Sequence, residues 1–281
     1  MGPLQEYRLG AGRPSIVITA GIHGNEQTAI YAAELIYALL QKETLLGEVC
    51  ILPRCNPSAI RARERKAPED GLDLNRSFPG APDGSHTQRL AYEIWRQTEG
   101  FDYVLDLHCC GLYGTTYAMH YFKKFAFAKP LCKMLGVPHV VSSKGTRGQL
   151  YIESCEQRGQ KGILIELPGG QPGGVIYEDA AEAIARQVLG YLRNLNILAG
   201  EKPAPVPIRY FDCRQPIRAD RGGLVRPAAA PGDVVRQGDA VAYLDDQPVL
   251  APSGGLIAGI PPLRYVCQGE DMLRLAPDLE E

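Results

Sequence analysis

The chain has 281 residues, a formal net charge of -2 and 22% charged residues, which is room for one large domain plus a small one and an ordinary charge balance. No basic block or Lys/Arg stripe interrupts it, so the electrostatic footprint of a nucleic-acid binder is missing. Apolar runs break well short of bilayer length and the polar opening MGPLQEYRLG has no signal-peptide core, so neither a membrane nor export is expected and the protein reads as cytoplasmic.

The first informative stretch is Ser15 to Gln27, SIVITAGIHGNEQ. Ile16, Val17 and Ile18 predict a strand buried on both faces, and Gly21 and Gly24 let the backbone turn where it stops. His23 and Glu26 then fall in the loop at the strand's C-terminal end, where open α/β sheets place their ligands. An imidazole and a carboxylate at this spacing can share one cation such as zinc. Read alone, the pair is equally a loop histidine and a first-turn acid favourable to the next helix dipole. Glu26 to Gln41 carries apolar residues at helical spacing, and Glu48 to Leu52 predicts a strand closed by Pro53.

Residues 56 to 85 read as a long loop rich in Arg, Gly and Pro, too long for a plain connector and hence a binding loop. Within it Arg65 precedes Asp73-Leu74-Asn75-Arg76, and an arginine fork beside an amide suits a carboxylate. Thr87 to Thr98 predicts a helix leading into Tyr103-Val104-Leu105-Asp106-Leu107-His108, a buried strand ending on a second histidine that would complete a His₂Glu set with one open zinc position. Asp106 shares a strand face with His108 and reads as an imidazole-orienting group or as a structural partner. Cys109 and Cys110 read as small packing residues. The eight cysteines as a whole suggest neither a disulfide framework nor a zinc ribbon.

Further on, Tyr117 to Tyr121 and Pro138 to Ser142 predict strands, and Phe125 to Leu135 a helix interrupted by Pro130. Leu150 to Arg158 predicts a short helix. Gly162 to Glu166 is a strand apolar until its last residue. A carboxylate there is costly unless paired or useful, which makes Glu166 the candidate general base. His86, His120 and His139 carry no comparable motif and read as surface or packed residues. Tyr177 to Leu198 predicts a long helix and 200–207 a Pro-rich linker. Beyond it come short β runs: Ile208 to Cys213, Gly223 to Arg226, Ala240 to Leu244, Gly255 to Ile260 and Met272 to Leu275. The expected organisation is an α/β unit over residues 1–200 and a small all-β barrel over 201–281. PGDVVRQGDAVAYL and LAPSGGLIAG resemble the lipoyl/biotinyl barrel-sandwich pattern. Lys202 is the last lysine of the chain, so the barrel has no attachment lysine and reads as a cap or assembly surface, which leaves homo-oligomerisation open.

With H23-G-N-E26, D73-L-N-R76-S-F-P-G, D106-L-H108 and I165-E166-L-P-G-G in that order, the chain resembles the succinylglutamate desuccinylase/aspartoacylase family, relatives of the zinc carboxypeptidases. The resemblance spans the α/β unit and extends to the trailing β unit. It implies a zinc-carboxypeptidase-like α/β/α sandwich with a mixed central sheet, and one Zn(2+) per chain on His23, Glu26 and His108. It further implies Glu166 as general base, Arg65 polarising the scissile carbonyl, and Asn75 with Arg76 clamping the carboxylate of a small N-acyl substrate. The family's second substrate arginine, shortly before the catalytic glutamate in aspartoacylase, corresponds to Glu156, with Arg158 two residues away. That departure puts aspartate as the acid half of the substrate in doubt. The leading expectation is a zinc-dependent deacylase of N-acylated amino acids or related small N-acyl amines. The alternatives are a carboxypeptidase on short peptides and a non-enzymatic metal-binding scaffold.

Overall fold

A computed structural model describes residues 4–170 and 173–279, so the first three residues of the polar opening and the last two of the chain lie outside it. Its centre is an eight-stranded mixed sheet. The strands and helices run β1 (Tyr7–Gly10), β2 (Ser15–Thr19), α1 (Gln27–Leu40), β3 (Glu48–Leu52), α2 (Pro57–Ala62), α3 (His86–Gln97), β4 (Tyr103–Cys109), β5 (Tyr117–His120), α4 (Ala128–Leu135), β6 (His139–Ser142), α5 (Leu150–Arg158), β7 (Lys161–Leu167), α6 (Glu178–Asn194) and β8 (Arg209–Phe211). The strand order is β1-β3-β2-β4-β7-β5-β6-β8, antiparallel at β1/β3 and β5/β7 and parallel elsewhere.

β2 is buried along its whole length because both faces are covered. Ile16 and Ile18 join the core built with α1, α4 and α6, whereas Val17 and Leu52 face α3 and Leu150 on the opposite side. A strand buried this way reads as continuous β-branched sequence rather than as alternation.

Several elements differ from the sequence expectation. β1 comes from the polar opening and pairs with β3; only half its side chains turn inward, which weakens its apolar signature. The long loop contains α2, capped by Asn56 Oδ1 accepting from Ala59 N at 3.3 Å, and a 3₁₀ turn over Leu74–Arg76 capped by Asp73. Pro130 does not interrupt its helix, because α4 begins at Ala128 and a first-turn proline surrenders no intrahelical hydrogen bond. The run from Ile208 belongs to the large sheet, where β8 pairs parallel with β6.

The remaining strands are β9 (Gln215–Arg218), β10 (Gly223–Pro227), β11 (Val234–Val235), β12 (Ala240–Leu244), β13 (Gln247–Leu250), β14 (Gly255–Gly259), β15 (Arg264–Val266) and β16 (Asp271–Pro277). They form two four-stranded antiparallel sheets, β13-β12-β10-β15 and β11-β14-β16-β9. Val225, Val241 and Leu244 of one sheet share an apolar core with Ile257, Leu273 and Leu275 of the other. Their attachment to the large sheet passes beside the strand ends that carry the candidate site: Gly114 bridges Gly259, and Ile260 N–H donates to Tyr113 O at 3.0 Å.

Candidate active site

The turn after β2 folds His23 and Glu26 back over the sheet edge. A methyl group at Gly24 would lie 1.9 Å from the Ala59 carbonyl carbon, so only glycine admits α2 this close. Glu26 occupies the position just before α1 and makes no side-chain cap to it. Its carboxylate turns instead to the histidines, with Oε1 at 2.8 Å from His23 Nδ1 and Oε2 at 2.9 Å from His108 Nδ1. Oε2 also accepts from the Cys109 backbone N–H at 2.9 Å. The two Nδ1 atoms are 3.2 Å apart.

Three donor atoms of a metal-binding type therefore converge from buried residues. Their spacing approaches the ~3.3 Å edge that bonds of ~2.0 Å impose on a tetrahedral ion. Burial opposes charge on Glu26, but the two imidazoles outweigh it and hold its pKa well below the usual carboxylate range. Burial likewise works against a cationic His108, yet Asp106 and Glu26 push its pKa well above the ordinary value. Carboxylates crowded around two imidazoles are what a bound cation would offset.

Each imidazole is held from behind. Asp106 Oδ2 lies 3.0 Å from His108 Nε2 while its Oδ1 accepts from Thr19 Oγ1 at 2.7 Å, so Asp106 touches the imidazole and is also paired within the sheet. Asp73 Oδ1 lies 3.1 Å from His23 Nε2. A carboxylate on Nε2 fixes the tautomer that leaves Nδ1 unprotonated for a metal.

Glu166 stands directly beside His108 in the β4/β7 register. Burial raises its pKa and the Arg214 guanidinium partly opposes the rise. Its Oε2 is buried without a hydrogen-bond partner among the described residues. The structure brings Arg65 to the same place. Its Nε and Nη2 grip Asp73 Oδ2 at 3.1 and 3.0 Å, and Nη1 lies 3.4 Å from Glu26 Oε1. Asn75 is buried, with Oδ1 accepting from Leu150 N at 3.0 Å and Nδ2 3.3 Å from His108 Nε2, so most of its amide is committed within the protein. Arg76 lines the cleft and donates through Nη1 to the Asn75 carbonyl at 2.6 Å.

Arg158 is not brought to the cleft. Its guanidinium stacks 3.6 Å over Trp95 and donates to the Trp95 carbonyl. His120 is fully buried, His139 packs against Phe211, and His86 lies 3.8 Å from Glu69. The Cys110 sulfur lies 3.2 Å from the carbonyl oxygens of both Thr115 and Leu167, either of which can accept its one proton.

The cleft above these residues has a volume of about 640 Å³. Arg65, Arg76, Lys144, Arg214, Arg264 and Arg274 line it, against Glu26, Glu166 and Asp271. Asp271 is itself paired with Arg218 and Arg274. This surplus of cations suits an anionic ligand. Arg214 and the histidine support from Asp73 escaped the sequence reading. Asp73 was legible only as part of a motif, and Arg214 follows a strand that pattern alone assigned to the β unit.

The sequence model of the succinylglutamate desuccinylase/aspartoacylase catalytic domain matches residues 12–195. Among curated proteins the chain is 28% identical to N-alpha-acetyl-L-2,4-diaminobutyric acid deacetylase of Halomonas elongata, over 97% of this chain and 80% of that protein. Among solved structures it resembles an aspartoacylase family protein of Mesorhizobium loti, with TM-score 0.78, 25% identity, and 99% and 90% of the two chains covered. It also resembles the product-bound ectoine utilization protein EutE (DoeB) of Ruegeria pomeroyi, with TM-score 0.77, 25% identity, and 98% and 88% covered.

Proposed function

The chain belongs to the succinylglutamate desuccinylase/aspartoacylase family, and from that premise we propose that it is a cytoplasmic, zinc-dependent hydrolase that cleaves the amide bond of a small N-acylated amino acid or related N-acyl amine. The observation that carries this reading is the convergence of His23 Nδ1, Glu26 Oε and His108 Nδ1 beside the carboxylate of Glu166. The Halomonas relative is named for deacetylating an N-acetylated diamino acid, which supports an N-acyl amino acid as the substrate class.

His23, Glu26 and His108 would hold one zinc ion per chain. Bound there, zinc supplies Lewis acidity toward a carbonyl oxygen and lowers the pKa of a coordinated water. Glu166 accepts a proton from the water whose oxygen forms the new bond to the acyl carbon, and returns it to the amine nitrogen as the C–N bond breaks. Arg65, aimed by Asp73, offers its remaining N–H groups to the charge developing on the carbonyl oxygen. Arg76 grips the substrate carboxylate, with Asn75 contributing through Nδ2. The products are a carboxylic acid and a free amine.

Residues 1–200 form the catalytic unit in this proposal, with a carboxypeptidase-like arrangement. Residues 201–281, apart from β8 in the large sheet, form a barrel-sandwich unit that closes one wall of the cleft through Arg214, Arg264 and Arg274. The cationic lining of the cleft favours a carboxylate-bearing substrate. A panel of N-acetyl and N-succinyl amino acids beside dipeptides, with and without chelator, tests the reading. Chelator-sensitive turnover of the N-acyl compounds is expected; turnover of dipeptides alone would reassign the protein as a carboxypeptidase.

A further inference from the structure

Glu166 sits at the end of a buried strand with one oxygen lacking any partner among the described residues, and Glu26 is a second carboxylate in the same site. No hydrogen bond fixes that Glu166 oxygen, so charge and packing are left to orient the side chain. The sheet supplies a candidate: in the antiparallel β5/β7 pair, Tyr117 stands directly opposite Glu166, so the two side chains share a face. Tyr117 is fully buried. Its phenol oxygen accepts a 2.6 Å hydrogen bond from Arg214 Nη1, and Arg214 Nη2 reaches to 3.9 Å from Glu166 Oε1. Arg214 lies in the short connection between β8 of the large sheet and β9 of the small one. It is the only cation within ion-pair distance of Glu166 among the described residues.

We propose that Tyr117 and Arg214 are positioning residues for Glu166, the phenol fixing the guanidinium and the guanidinium orienting the carboxylate by charge. This rests on the reading of Glu166 as the general base. The geometry suits the task because 3.9 Å is ion-pair range but beyond a hydrogen bond. The carboxylate is thus held against repulsion from Glu26 while its lone pairs stay open to a proton. The planar fork is needed, since one nitrogen must reach Tyr117 while another faces Glu166. The connection leaving the large sheet for the β sheets thereby contributes directly to the base.

The test is steady-state kinetics, zinc content and thermal unfolding of Arg214→Gln, Arg214→Lys, Tyr117→Phe, the Tyr117→Phe/Arg214→Gln pair, and Arg214→Gln combined with Glu166→Gln. Misplacing a reacting group by about 1 Å can cost about 100-fold, so Arg214→Gln should lower kcat by about 10- to 100-fold with KM near the wild-type value. Tyr117→Phe should lower kcat less, and the double variant should be no worse than Arg214→Gln alone. Lysine should recover only part of the loss. In the Glu166→Gln background, Arg214→Gln should add nothing, and metal content and unfolding temperature should stay near wild type throughout. A raised KM with kcat retained would make Arg214 a substrate contact and overturn the proposal. So would additive losses from Tyr117→Phe and Arg214→Gln, or loss of zinc in Tyr117→Phe. Wild-type turnover by Glu166→Gln alone is a separate result, which would overturn the base assignment beneath it.

Discussion

Replacing Gly24 by alanine adds one methyl group between two of the three proposed metal ligands, and the structure allows its effect to be sized. The new Cβ would stand 1.9 Å from the Ala59 carbonyl carbon, 2.1 Å from its oxygen and 2.2 Å from Ile60 N. All three are backbone atoms, so no side chain can swing aside, and reaching even 3.0 Å requires a shift of about 1 Å. α2 resists that shift because Asn56 N–H donates to Gly21 O at 2.9 Å and Asn56 Nδ2 to Ile22 O at 3.3 Å. The HGNE turn is left to move. Its donors stand 2.8–3.2 Å from one another and from His108 Nδ1, so a shift of that size opens the set. Loss of a partner that merely orients a ligand costs about 10- to 100-fold in metal affinity, and Gly24→Ala should cost at least as much. Competition for zinc against a chromophoric chelator measures it. Wild-type affinity in a folded Gly24→Ala protein would show that α2 yields instead, and that the close approach of Gly24 to α2 is not what sets the ligand geometry.

Three further outcomes follow from the same structure. Asp70 accepts from Ser85 Oγ, Thr87 Oγ1, and the backbone N–H groups of Thr87 and Leu72; these bonds outweigh the cost of burial and bring its pKa below the usual range. Asp70→Asn should destabilise the fold by about 1–2 kcal/mol at neutral pH. A depressed carboxylate stabilises above its unfolded pKa of ~3.9 and loses that contribution as pH falls below it, so urea unfolding should show the wild-type advantage shrinking below about pH 4; an advantage independent of pH would refute the charge argument. His120, buried among the rings of Phe125, Phe127 and Tyr151, has its pKa lowered by burial to about 4. Its neutral form is the folded one, so stability is full above ~6.5 and should fall by about 3 kcal/mol as pH drops from ~6.5 to about 4. His120→Met should remove that slope, and an unchanged slope would place the acid sensitivity elsewhere. Arg76→Lys should weaken binding of a carboxylate-bearing substrate by roughly 1.5–3 kcal/mol and leave its neutral amide analogue unaffected; equal losses on both would make Arg76 a support of the loop.

Legibility in the sequence followed burial. β2, β4 and β7 are buried almost throughout, so their sequences are mostly apolar and the polar residues at or just beyond their ends stand out as candidate site positions. His23, Glu26, His108 and Glu166 could be read from that pattern and from motif order. β1 and β8 are short edge strands with two of four and one of three residues exposed, and their alternation is too short to separate from a loop. α2 hides in a stretch of arginines because only Ala59 is buried. Arg214 could not be found from sequence, since its relation to Glu166 depends on β5 running antiparallel to β7 and on β8 joining the large sheet. No periodicity within a single strand encodes either fact.

The most direct test of the central claim pairs metal analysis with turnover of an N-acetyl amino acid by wild type, His108→Ala and Glu166→Gln. Two remaining ligands do not hold zinc tightly, and an amide in place of Glu166 keeps the shape but accepts no proton. The account predicts one zinc per chain and hydrolysis in wild type, neither in His108→Ala, and zinc without turnover in Glu166→Gln. Full activity in Glu166→Gln, or full zinc occupancy in His108→Ala, would contradict it.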